Sequence, residues 1–170
     1  TQVLGLVLRG AIGKTLSEYL SEKIWKPMGA EADAYWNIDR AGFEAAYAFL
    51  NATLRDYARF GMLLANDGML DGRQIIPREW VLEATSVRGT HTGYGQVYNY
   101  FGYGYQTWIL PSGERRFQAN GFRGQVIFVD AKSKVVVVHT GVRDGRDPGY
   151  LEQTSLMNSI ADQLSVKTKL

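Results

Sequence analysis

The chain has 170 residues, of which 45% are hydrophobic and 21% charged, with a formal net charge of +2. These values suit a single folded domain with a sizeable core, and the absence of any block of like charge gives no electrostatic support for nucleic-acid binding. No cysteine is present, which excludes disulfides, thiolate nucleophiles and cysteine metal sites, and no apolar run reaches the roughly 20 residues needed to span a bilayer.

Helical periodicity begins at once, with Val3, Leu4, Val7, Leu8 and Ala11 recurring at helical spacing and Thr1 as the only residue available to cap the helix. A helix starting at the first residue reads as a segment of a longer chain. Thr15 and Glu18 form a capping box, followed by Leu16, Tyr19, Leu20 and Ile24 on one face and by Pro27 and Gly29 as stop signals. A second start of this kind, Thr53 to Asp56, predicts a helix with Leu54, Tyr57, Ala58, Gly61, Leu64 and Ala65 on one side, ended by Gly68. Asp71-Gly72 supplies the turn of a small hairpin, and Pro77 the first position of a short helix. Residues 86–104, rich in Tyr and Gly, lack periodicity and read as an aromatic loop.

Beyond residue 105 the period changes. Four short strands are expected around Tyr105–Leu110, Glu114–Asn120, Gln125–Asp130 and Lys134–Gly141, and their brief connections force antiparallel neighbours. The Val135–Val138 run predicts a strand covered on both faces. After the turn at 143–149, a closing helix is expected from about Tyr150 to Val166 with Leu156, Ile160 and Leu164 inward. The fold class is therefore α+β: a helical part over about 1–104, then an antiparallel sheet with its closing helix over about 105–170, as one domain.

The chemistry is incomplete. None of the eight serines has lysine three residues later, and no Gly-x-Ser-x-Gly elbow occurs. A Ser-His-Asp set needs no sequence adjacency, but no motif supports His91 or His139 in one. The two histidines lack zinc-helix spacing, and no metal or other cofactor is expected. Tyr35-Trp36-Asn37, His91-Thr92-Gly93 and His139-Thr140-Gly141 imitate catalytic triplets, but three-residue matches arise by chance in a chain so rich in Tyr, Thr and Gly. Asn37 to Arg40 reads as a structural turn with an ion pair.

The stretch Phe117–Asp130 carries two glycines three apart, Gly121 and Gly124, within a strand pattern. Such a pair marks either a bulge or a place where a ligand approaches the backbone closely. On the second reading the Phe122 N–H would stabilise an oxyanion beside Gly121, with Arg123, Gly124 and Gln125 flanking a pocket.

Taken in order, several strings resemble the C-terminal half of penicillin-recognising, class C β-lactamase-like serine hydrolases. They are TQVLGLVLR, GKTLSEYL, WNIDRAG, LRDYARFG, the Asp67–Val81 run, GYGYQTW and the Gly121–Asp130 run. The branch they resemble most contains 6-aminohexanoate-dimer hydrolases and related carboxylesterases. That resemblance implies a Ser-x-x-Lys nucleophile and a tyrosine motif upstream of Thr1, and a small ester or amide as substrate. It aligns Asn120–Gln125 with the strand that bears Lys-Thr-Gly in β-lactamases, and adds Trp108 as a pocket wall. Without lysine or histidine there, an esterase or amidase is favoured over a β-lactamase, and the chain alone is expected to be inactive. Two alternatives stand beside this, a binding module using loop 94–105 and one chain of a split enzyme, and in either case the missing N-terminal half or self-association is expected to cover apolar surface left bare. The cellular compartment stays open.

Overall fold

In the computed structural model, which describes residues 1–98, 100–112, 114–142 and 150–167, the chain divides between Arg59 and Phe60 into two units. The predicted turn at 143–149 lies outside the described residues.

In the first unit, α1 (Gln2–Ile12) ends at Gly13, whose left-handed φ of 64° lets its N–H reach the Arg9 carbonyl. Thr1 occupies the N-cap but makes no side-chain cap bond. The helical stripe is present and largely exposed: Val3, Leu4 and Val7 are 71%, 62% and 64% exposed. The helix docks through a different side, where Gly5 is buried and lies so close to Ala46 that a Cβ would approach that side chain to 2.4 Å. Gln2 fixes the same contact, donating to the Glu44 carbonyl at 3.1 Å and accepting from Ala46 N–H at 2.8 Å.

The Thr15–Glu18 capping box opens α2 (Leu16–Leu20): Glu18 N–H donates to Thr15 Oγ1 at 3.1 Å and Thr15 N–H to Glu18 Oε2 at 2.9 Å. A π-helical turn, Ser21–Trp25, continues it. Replacing Thr15 with alanine should cost about 1 kcal/mol of stability. A urea titration followed by circular dichroism would register this, and an unchanged midpoint would mean the cap contributes nothing.

Two buried carboxylates organise this unit. Glu44 receives Arg9 Nη1 at 2.9 Å and Ser17 N–H at 3.0 Å, tying α1 to α2. Burial pushes its carboxyl up, but the backbone hydrogen bonds from Ser17 and its neighbours outweigh that and hold it below the usual range. Asp56, fully buried, lies in the first turn of α3 (Leu54–Ala65), the helix that contains the division point. β1 (Tyr35–Trp36) and β2 (Leu50–Asn51) form a two-residue antiparallel ladder. The anticipated turn after Trp36 is present, but Asp39 accepts from the N–H groups of Ala41 and Phe43, so its carboxylate bonds backbone there.

In the second unit, β3 (Met69–Leu70) and β4 (Arg73–Gln74) make the expected hairpin, with Asp71 and Gly72 at φ 49° and 74°. Pro77 caps α4 (Arg78–Ala84) from one position before its first residue. Five strands follow as an antiparallel meander in chain order: β5 (Gly102–Tyr103), β6 (Trp108–Ile109), β7 (Arg116–Asn120), β8 (Val126–Asp130) and β9 (Val135–His139). β5 falls inside the segment predicted as loop. Its Gly102-Tyr103 pair includes no β-branched residue, and the pairing with β6 over two residues is set by tertiary contacts.

α5 (Tyr150–Lys167) packs on one sheet face, where Phe101, Leu110, Val126, Phe128, Met157 and Ala161 form a core cluster. The other face gathers Ala65, Ile109, Phe117, Val129 and Ala131, with Leu64 and Val136 against them. A Cβ on Gly61 would come within 2.5 Å of Val136 Cγ1, so glycine is what lets α3 approach β9. The valine run is thus covered on both faces, as expected, yet every residue of β9 stays half-buried because the strand lies at the sheet's edge. α5 departs from expectation by one residue of phase. Gln153, Thr154, Met157 and Ala161 are buried, whereas Leu156 is 61% and Leu164 44% exposed. The small Ala161 permits close approach to the sheet, and Arg116 on β7 fixes the rotation by bonding Asn158 at 3.0 Å and Asp162 at 2.5 Å.

Candidate functional site

The glycine pair closes the β7–β8 hairpin. Gly121 N–H donates to the Gln125 carbonyl at 2.7 Å, and a 3-10 turn, Phe122–Gly124, lies between. The two glycines serve different ends. A Cβ on Gly121 would sit 2.7 Å from Gln125 Cβ across the hairpin, whereas Gly124 adopts φ 87°. The turn geometry therefore accounts for both without a ligand. Arg123 between them is itself left-handed at φ 60°, ψ 35°, a conformation costly for a non-glycine residue.

Five of the six predicted site residues are contiguous in this turn. Phe122 is 77% exposed, with the Arg123 guanidinium 5.4 Å from its ring centroid. As the first residue of the turn, Phe122 has an N–H that no earlier carbonyl of the turn can accept. Gln125 commits its side chain to Gly141, donating from Nε2 to the carbonyl and accepting from the N–H at 3.3 Å. Trp108 stands apart. Its cross-strand partner is Gln118, three residues before Gly121 and about 10 Å along the strand. Its ring is held by Tyr98, Phe101 and Tyr103 at centroid distances of 5.8, 5.9 and 4.8 Å. Burial in this cluster pushes the Tyr103 phenol up.

Two residues that the sequence did not single out for this site hold the turn from behind. His139 Nδ1 lies 2.8 Å from the Gly124 carbonyl, and Gln153 Nε2 donates to the same oxygen at 3.0 Å. His139 and Gly141 belong to one of the chance triplets, which thus anchors the hairpin. No sequence signal marks Gln153, whose position on α5 is understood only once the helix phase is known. The side-chain oxygens of Gln118, Asn120 and Gln153 are buried with no donor among the described residues. The second triplet, around His91, forms an exposed 3-10 turn. In the third, the Trp36 indole N–H is shared by the Ala45 and Ala48 carbonyls. Separately, an open cavity of about 220 Å³ in the first unit lies among Leu20, Trp25, Asp33, Trp36 and Leu50.

The arrangement can present a backbone N–H and a shaped rim to an acyl group. It brings no serine, lysine or tyrosine into the turn.

Comparison with known proteins bears on the fold and the family. The Beta-lactamase family model matches residues 1–160. A 6-aminohexanoate-dimer hydrolase of Paenarthrobacter ureafaciens is 27% identical over 143 residues, covering 81% of this chain and 36% of that protein. A Bacillus anthracis protein assigned as a 6-aminohexanoate-dimer hydrolase superposes with a TM-score of 0.84 at 35% identity, over 95% of this chain and 42% of that one. A β-lactamase of Mycobacterium bovis shares the fold at a TM-score of 0.69 and 20% identity, over 96% of this chain and 61% of its own. The chain spans well under half the length of the two 6-aminohexanoate-dimer hydrolase relatives. By its fold and by a family match over nearly its whole length, the chain belongs to the β-lactamase family.

Proposed function

We propose that this chain is the C-terminal part of a serine hydrolase acting on small esters or amides, and that it supplies the oxyanion-hole strand and one rim of the pocket. The carrying observation is the β7–β8 turn: an exposed Phe122 following Gly121, braced by Gln125, His139 and Gln153. In acyl transfer the developing oxyanion is held by two N–H groups, and removing one such donor costs about 10²–10³ in kcat. Here Phe122 N–H is one donor, and the other comes from the nucleophile. Gly121 and Gly124 keep the backbone approachable, while Arg123, Gln125 and Trp108 shape the rim.

Ser-x-x-Lys and the tyrosine base are supplied by residues outside these 170, so the chain by itself is catalytically silent. Two relatives named as 6-aminohexanoate-dimer hydrolases act on a small molecule of this kind, which fits this reading. The exposed apolar face of α1 supports the idea that further polypeptide, or a second copy, covers surface left bare here. The loop at 94–105 is less suited to independent binding because Tyr98, Phe101 and Tyr103 pack on Trp108, leaving Tyr94 and Tyr105 as its most exposed rings away from that cluster.

Intact-mass analysis after incubation with a fluorophosphonate tests the silent-chain reading. The expected result is an unmodified species at 19.0 kDa. A stoichiometric adduct would show that one of the serines present is activated, and the reading would fall.

A further inference from the structure

The β7–β8 turn is tied at both ends, by backbone at one and by side chains at the other. At its start, Gly121 N–H closes the hairpin on the Gln125 carbonyl at 2.7 Å. Backbone pairing of β8 with β9 stops at Val126↔His139, and just past it side chains take over. The Gly124 carbonyl receives His139 Nδ1 at 2.8 Å and Gln153 Nε2 at 3.0 Å. A carbonyl oxygen only accepts, so Nδ1 carries the ring proton, and the two donors together use both lone pairs. One donor comes from the end of β9 and the other from a buried position near the start of α5, so two separate elements fix one oxygen. Between the two ties lie Phe122, Arg123 and Gly124, the last two at φ 60° and 87°. A left-handed residue other than glycine persists only where its surroundings over-determine it. The strain at Arg123 would relax by rotation of neighbouring peptides, and the Phe122 N–H belongs to one of them.

We infer that His139 and Gln153 are positioning residues for acyl transfer: by pinning the Gly124 carbonyl they hold the strained turn in one shape and keep the Phe122 N–H aimed at the oxyanion. This role rests on the hydrolase reading above and deepens it, because it names what fixes the donor's direction. Neither side chain touches the reacting atoms. A donor stabilises a developing charge only if it is set in place before the charge forms. With the Gly124 carbonyl released, the rim would still bind substrate, but the N–H would have to be reoriented in the transition state. The brace lies wholly in the second unit and consists of contacts that this chain makes with itself.

Steady-state kinetics of the full-length hydrolase with p-nitrophenyl acetate test this, alongside urea titrations. His139→Leu and Gln153→Met each remove one donor to the same oxygen. Each should lower kcat about 10-fold, and the double variant about 10²-fold, the loss expected when a catalytic group is misplaced by about 1 Å. Acylation and deacylation both pass through an oxyanion, so kcat and kcat/KM should fall together while KM stays put. His139→Asn should restore most of the rate, because the asparagine Nδ2 takes the place of the ring Nδ1. Lys134→Met removes a comparable bond at the other end of β9, from Nζ to the Ala65 carbonyl at 2.6 Å, and should lower stability without changing kcat. Donor variants that lose stability but keep kcat, an asparagine that fails to rescue, or an equal kcat loss in Lys134→Met would each overturn the inference. If His139→Leu does not fold, Gln153→Met decides. Fluorophosphonate labelling of the wild-type full-length protein separates the two readings. No labelling would overturn the hydrolase reading and the positioning role with it, whereas a labelled enzyme whose donor variants keep kcat overturns the positioning role alone.

Discussion

Arg116→Ala is expected to destabilise the second unit by about 3–5 kcal/mol, the range for removing one partner of a buried ion pair. Arg116 is buried on β7 and reaches three groups at once: Asp130 on β8 at 2.9 Å, and Asn158 and Asp162 on α5 at 3.0 and 2.5 Å. Most of the cost arises at Asp130, which is buried to 1% exposure and would lose its counter-charge. Burial pushes that carboxyl up, but the Ser133 backbone N–H and Arg116 outweigh it and hold the group below the usual range. Asp162 is largely exposed, and its share is small. Arg116→Met combined with Asp130→Leu should recover much of the loss, since a buried pair replaced by apolar groups is often close to neutral. Recovery stays incomplete because Asp130 also accepts the Lys132 and Ser133 N–H groups that shape the β8–β9 turn. Urea titrations of the single and double variants would measure this. A single variant within about 0.5 kcal/mol of wild type, the range of ordinary surface changes, would mean α5 is not fixed by this network.

The same network explains why part of the fold was legible in the sequence and part was not. The capping box at Thr15, the Asp71-Gly72 hairpin and the strands β6 to β9 depend on local backbone preferences and on alternation, which a short window of sequence contains. The phase of α5 does not. Leu156 and Leu164 carry the stronger hydrophobic signal, but the rotation is set by Ala161 against the sheet and by Arg116, residues 46 and 42 positions away from its partners Asp162 and Asn158. Likewise the apolar stripe of α1 was read correctly as a stripe. Which surface it covers is not encoded within the helix, and Gly5 forms the contact present here. At the candidate site, the glycine pair located the turn. The bracing groups His139 and Gln153 converge on a carbonyl, and backbone acceptors leave no mark on sequence.

Asp56→Asn should cost the first unit several kcal/mol at neutral pH and should flatten its acid response. The Asp56 carboxylate, with no exposed surface, collects Glu31 N–H at 2.8 Å, Ala32 N–H at 3.3 Å, Thr53 Oγ1 at 2.8 Å and Arg59 Nη1 at 3.1 Å. Hydrogen bonds to a charged group contribute about 1.5–3 kcal/mol each, and an amide keeps the shape while losing the charge and one acceptor. Burial alone would raise the pKa of this carboxyl. The N–H of Glu31, the Thr53 hydroxyl and the N–H of Ala32 prevail, with Arg59 adding to them, and hold it below its ordinary value of 3.8. A carboxyl depressed in the folded state contributes its stability above the unfolded pKa, and that contribution is lost as pH falls through the folded one. The wild-type unit should therefore weaken progressively below about pH 4, the ordinary range of an aspartate. The asparagine variant, already weakened at pH 7, should lack that component of the slope. Denaturant midpoints for both proteins between neutral and strongly acidic pH would test the sign. Parallel curves would mean that Glu44, the other depressed buried carboxylate, governs acid unfolding of this unit instead.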